Sequence, residues 1–82
     1  MPYIEKERRI DLDAGEAPLS VGELNYALTQ LCVDYLFEEN PEPTYSDYND
    51  IIGVLESVKL EFYRRMVTPY EDKKLMENGD VY

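Results

Sequence analysis

The sequence predicts an all-α protein built on two long antiparallel helices with a short C-terminal helix, the whole pairing into a dimeric helical bundle. Three observations predict it. Helix-start signals stand at Ser20, at Thr44 to Ser46 and at Thr68. Apolar residues recur at three- to four-residue spacing over two stretches of about twenty residues each. Both stretches are apolar on two sides, and a helix of that kind needs two neighbours.

The elements follow in order. Residues 1–19 read as an extended or looped arm that can hold one helical turn around Glu7 to Ile10, with a loop at Ala14-Gly15-Glu16-Ala17-Pro18. Ser20-Val21-Gly22-Glu23 is a capping box: the serine takes up free amides and the glutamate reaches back. The helix it opens runs over residues 20–38. Asn40-Pro41-Glu42-Pro43 ends it, because proline cannot continue the ladder of hydrogen bonds. A second helix spans 45–67, with Asp47 and Asp50 in a first turn where the dipole favours negative charge, and Arg64 and Arg65 near the end where positive charge is favoured. Thr68-Pro69-Tyr70-Glu71 has the form of another capping box and predicts a short helix over 69–77 that stops at Asn78-Gly79. Residues 78–82 form a tail. Met1 to Ile4 and Asp80 to Tyr82 are extended in character and could pair as a ribbon or pack separately on helices.

On the first long helix Val21, Leu24, Leu28, Leu31, Cys32 and Tyr35 form one stripe, with Tyr26, Val33 and Phe37 opposite. On the second, Tyr48, Ile51, Leu55, Val58, Phe62 and Met66 form the main stripe, with Gly53, Leu60 and Val67 opposite. A second copy of the chain is the expected neighbour for the spare faces, since twofold dimers are the commonest oligomers. The alternative is that the terminal segments cover those faces in a monomer. Size argues for reinforcement: a single domain of 82 residues buries only about 60% of its unfolded surface. One cysteine and no histidine leave neither an internal disulfide nor a cysteine-based zinc site to supply it.

Charge restricts the partners. No Lys, Arg or His lies between Arg9 and Lys59, and that span holds eleven acids; all eight bases lie toward the two ends. With a net charge of −10, binding to nucleic acid or to an anionic membrane is not expected, and a protein partner with a basic surface is. No apolar run nears the roughly 20 residues that span a bilayer. The N-terminus lacks a basic region followed by an apolar one, so no signal peptide is expected. With a free thiol, this points to the cytoplasm.

The candidate sites are few. Without histidine the usual acid–base and triad chemistries are missing, and no phosphate-binding glycine loop is present, so no catalytic residues and no cofactor are expected. Asp47 and Asp50, one turn apart with Glu38, Glu39 and Glu42 just before them, could hold Mg²⁺ or Ca²⁺; the plainer reading is a dipole-favoured helix start beside a solvated acidic loop. Arg64 and Arg65, with Asn25, Tyr26 and Tyr70, could frame a pocket for a carboxylate or phosphate; the plainer reading pairs the arginines with Glu61, Glu71 or Asp72. Cys32 lies on an apolar stripe and reads as inert core. The eight tyrosines, each an apolar body with a polar tip, suit an interface more than an active site.

Several stretches taken together resemble a family of short uncharacterised proteins of tailed bacteriophages, bacteria and archaea: Met1-Pro2-Tyr3-Ile4, Gly22-Glu23-Leu24-Asn25-Tyr26, Glu61-Phe62-Tyr63-Arg64-Arg65, Pro69-Tyr70-Glu71-Asp72-Lys73-Lys74 and Asn78-Gly79-Asp80-Val81-Tyr82. The likeness covers nearly the whole chain and is weakest over residues 11–20 and 38–47. It implies a stand-alone small protein, sometimes phage-borne, with no known activity. The expected function is a non-enzymatic interaction or adaptor module. The alternatives are a metal-dependent hydrolase of a nucleotide or phosphate ester using Asp47 and Asp50, and an anion-binding regulator using Arg64 and Arg65.

Overall fold

The computed structural model describes residues 4–38 and 40–82, and every regular element among them is helical. The elements are α1 (Lys6–Asp13), α2 (Val21–Glu38), α3 (Tyr45–Phe62), a π-helical turn (Tyr63–Val67) and α4 (Thr68–Asn78). The last three run on without a break, so the described residues hold three helices of which the last is long. The backbone groups into two compact units, Met1–Asp47 and Tyr48–Tyr82.

In the first unit the expected arm contains a two-turn helix. Eight residues are too few to hold a helix alone in water, so α1 depends on packing. Leu12 supplies it: among the described residues this side chain is the buried one, 7% exposed where α1 lies on α2. Gly15, at φ 101°, turns the chain after α1 in a conformation that side-chain-bearing residues rarely adopt. The start of α2 is capped as the sequence suggests, with one change. The Glu23 amide donates to Ser20 Oγ at 3.1 Å, but the Glu23 carboxylate accepts from the amide of Leu19, one residue earlier than a standard box, at 3.0 Å. After α2 the Glu42 amide donates to the Asn40 side-chain oxygen at 3.0 Å, a side-chain turn that encloses Pro41.

The second unit departs from expectation at Thr68. No cap forms there: Val67 and Thr68 keep helical backbone angles, and the Thr68 amide reaches back five residues to the carbonyl of Tyr63. The cause is Pro69. A proline inside a helix has no amide to give the carbonyl four residues back and crowds it with its ring. A widened turn just before the proline absorbs both effects, and the helix runs on instead of restarting. Glu71, expected to serve the cap, accepts a hydrogen bond from the Tyr63 hydroxyl at 2.7 Å instead. The helix ends at Asn78, where the Gly79 amide donates to the Leu75 carbonyl at 2.8 Å and Gly79 takes φ 84°. Ile4 and residues 80–82 carry no regular structure, and Met1 to Tyr3 of the suggested terminal ribbon lie outside the described residues.

Candidate functional site

The polar side chains gather in three places. The first joins α1 to α2. Arg8 lays its guanidinium across the Glu23 carboxylate, with Nε 3.1 Å from Oε2 and Nη2 2.5 Å from Oε1. The same guanidinium reaches Asp11, Glu16 and the Ala17 carbonyl. A fork of this kind fixes orientation as well as charge. The Arg8 side chain is 25% exposed and Glu23 15%. The hydrogen bond from Arg8, helped by the Leu19 amide, holds the Glu23 carboxyl below its usual range; Glu23 in turn pushes the Arg8 guanidinium up. At the other end of α1 the Tyr26 hydroxyl donates to both oxygens of Asp13, at 3.0 and 3.2 Å. Partial burial and that carboxylate push the Tyr26 phenol up. Tyr26 thus fastens the two helices together, while its neighbour Asn25 is exposed on α2.

The Glu23 shift sets a pH dependence. A carboxylate depressed in the folded state contributes stability fully above its unfolded pKa of about 4, and that contribution is lost as pH falls through the folded value. Protection of the α1 amides against hydrogen exchange should therefore fall as the solution is acidified below about pH 4. Glu23→Gln should show weakened protection at neutral pH already, and lose that acid step. Two-dimensional NMR across the pH range checks it.

The second place is the start of α3. Asp47 Oδ2 accepts from the Thr44 amide at 2.8 Å, the Thr44 hydroxyl at 3.2 Å and the Asn40 side-chain amide at 3.1 Å. The Thr44 amide, with those two side chains, lowers the Asp47 pKa. Asp47 therefore serves the helix start as the third residue of a cap at Thr44. Asp50 is exposed on α3. Among the described residues no three carboxylates or thiols converge as a metal-binding group; Glu39, part of the acidic loop named above, lies outside them.

The third place is the end of α3 and the turn after it. Glu61 takes both arginines: Arg64 through Nη2 at 2.6 Å and Nε at 3.1 Å, and Arg65 through Nε at 3.2 Å. Lys74 stands over the Tyr70 ring, 5.7 Å from its centre. Tyr63, bonded to Glu71, has its phenol pushed up by that contact. Of the residues proposed to frame an anion pocket, Asn25 and Tyr26 belong to the first unit, and Arg64, Arg65 and Tyr70 to the second. Cys32 is a half-buried free thiol. The reading from sequence missed Arg8, Asp13 and the second role of Glu23. Their one local signal is the pairing of Arg8 with Asp11 a turn later; the partner on α2 lies fifteen residues away across a loop.

A further surface runs along α3. Asn49, Asp50, Gly53, Val54, Ser57, Val58, Leu60, Glu61 and Arg64 line one shallow groove on the helix. A side chain added at Gly53 would meet nothing within 4 Å, and the Ser57 hydroxyl donates to the Gly53 carbonyl at 3.1 Å.

The family model described as a domain of unknown function, DUF6899, matches residues 1–81. The chain belongs to this family. No curated protein and no solved structure matches it. For this DUF6899 chain the description carries no activity, so function has to be argued from the arrangement of its own side chains. No helix among the described residues is long and apolar enough to cross a membrane.

Proposed function

We propose that the protein is a cytoplasmic, non-enzymatic interaction module: a homodimer in which α2 and α3 pair antiparallel, offering an acidic, tyrosine-rich surface to a protein with a basic face. The observation that carries this reading is the exposure of large apolar side chains along both long helices. Leu31 and Tyr35 on α2 are 66% and 74% exposed, and Ile52, Phe62 and Met66 beyond them 61% or more. Large apolar side chains left exposed along a helix favour a site where something else binds. The use of Asp47 as a helix cap and of Arg64 and Arg65 as partners of Glu61 supports an interaction role over metal-dependent hydrolysis or anion capture.

The charge is divided unequally. Residues 1–47 hold eleven of the eighteen acids and three of the eight bases, a net −8; residues 48–82 hold seven and five, a net −2. The first unit is the surface for a basic partner, and the second can meet a copy of itself with little repulsion. An accessory protein, phage-borne in some hosts, fits this description. Sedimentation equilibrium over a wide concentration range tests the assembly: two chains are expected, with dissociation on dilution. Native mass spectrometry of protein drawn gently from its host tests the partner, which is expected to be a basic protein in fixed stoichiometry that high salt removes. A monomer at every concentration, with no protein bound at low salt, overturns the reading.

A further inference from the structure

We infer that the groove along α3 is where two copies meet, antiparallel, about a twofold axis through Ser57. This deepens the homodimer reading above and rests on it. Six of the groove residues fall in pairs about Ser57, with Asn49 and Val58 outside the pairing. Seven places before Ser57 stands Asp50, and seven after it Arg64; four before is Gly53, and four after Glu61; three before is Val54, and three after Leu60. An antiparallel pair centred on Ser57 brings each of these onto its opposite number. Asp50 faces Arg64 of the partner subunit at both ends, Val54 faces Leu60 of the partner subunit on either side of the axis, and the stem of Glu61 crosses the open backbone of Gly53.

Each contact suits its chemistry. Val54 and Leu60 are 59% and 60% exposed, so their meeting removes apolar surface from water. Glycine lets the backbones approach, and the space beside Gly53 is open. Ser57, at the axis where two identical groups must meet, already donates its hydroxyl proton to the Gly53 carbonyl, so its burial strands no donor. Arg64 binds Glu61 with one nitrogen pair and keeps its other terminal nitrogen for Asp50 of the partner subunit. A parallel pairing fails on the same residues, since it sets Asp50 on Asp50, Glu61 on Glu61 and Arg64 on Arg64. The near-neutral charge of residues 48–82 permits the approach that the strongly acidic first unit resists.

The test exchanges the end charges and bridges the centre. Asp50→Arg and Arg64→Asp should each raise the dimer dissociation constant about tenfold, because each sets two like-charge pairs in a dimer where two opposite ones stood. The double variant Asp50→Arg/Arg64→Asp should return within about threefold of the parent. In a Cys32→Ser background, Ser57→Cys should cross-link into a dimer on mild oxidation, since identical residues at a twofold axis between close helices lie within disulfide reach. Lys59→Cys in the same background should cross-link much less. Circular dichroism verifies that each variant folds. A parent dimer that ignores the single charge changes, is not rescued by the exchange and does not cross-link through position 57 overturns this interface and leaves the homodimer standing. A parent that is monomeric throughout overturns both.

Discussion

Leu12→Ala is expected to release α1 from α2 while leaving the two long helices helical. Leu12 is 7% exposed and is the buried side chain among those described; the residues around it on α1 are half-buried or exposed. Truncating a buried leucine to alanine costs about 3 kcal/mol, from lost transfer energy and the cavity left behind. An eight-residue helix has no stability of its own to absorb that loss. The unfolding should therefore be local, and the observable is local too: amides bonded within α1, such as those of Arg9 and Ala14, should exchange about a hundredfold faster. Amides in the middle of α2 should change little. If the α1 amides stay protected, the ion pair of Arg8 with Glu23 and the Tyr26–Asp13 bond hold the helix without an apolar anchor, and Leu12 is not what fixes α1. Combining Leu12→Ala with Glu23→Gln separates the two contributions, because side chains in one small contact area are not expected to add independently.

What could be read from the sequence divides along the same line between local and distant causes. The start of α2 was legible because Ser20 and Glu23 act on amides within four residues of themselves. The start of α3 was legible to within Thr44 to Ser46, from acids in a first turn that the dipole favours; the bond from the Thr44 amide to Asp47 was not. The partner of Arg64 and Arg65 was legible as one of three acids, Glu61, Glu71 or Asp72, and the one taken is Glu61, a turn away on the same helix. By contrast, only one turn of α1 was legible, around Glu7 to Ile10; the full helix rests on Leu12 and on an ion pair spanning fifteen residues. The groove on α3 was half legible: Gly53 and Leu60 stand on the side opposite the main stripe in the sequence pattern, but nothing in that pattern marks Ser57, whose hydroxyl bonds the Gly53 carbonyl. The break expected at Thr68 failed for an instructive reason. Thr-Pro-x-Glu is the signature of a helix start, and it is equally the sequence of a helix that passes a proline by widening the turn before it. The local residues are the same in both cases, and what decides is whether that turn can accept five residues.

Pro69→Ala is expected to stabilise the long helix and to abolish the π-helical turn. Proline in a helix interior is about 3 kcal/mol less favourable than alanine, and the widened turn over Tyr63–Val67 already relieves part of this. A net gain of about 1–2 kcal/mol should remain, reduced by the greater freedom that alanine gives the unfolded chain. Restoring the amide at position 69 lets the Arg65 carbonyl bond normally and removes the reason for the extra residue in the turn. Regular winding then rotates everything after the turn by about 100° relative to α3, so Glu71 swings away from the Tyr63 hydroxyl. The Tyr63 phenol, now pushed up chiefly by that hydrogen bond, should return to its ordinary value. The two readouts are independent: melting by circular dichroism reports the gain in helix stability, and the Tyr63 ring resonance followed through alkaline pH reports the geometry. A more stable helix in which Tyr63 still titrates late would mean that the Tyr63–Glu71 bond, and not the proline, sustains the widened turn. Tyr63→Phe in the Pro69→Ala background would then be the substitution that closes it.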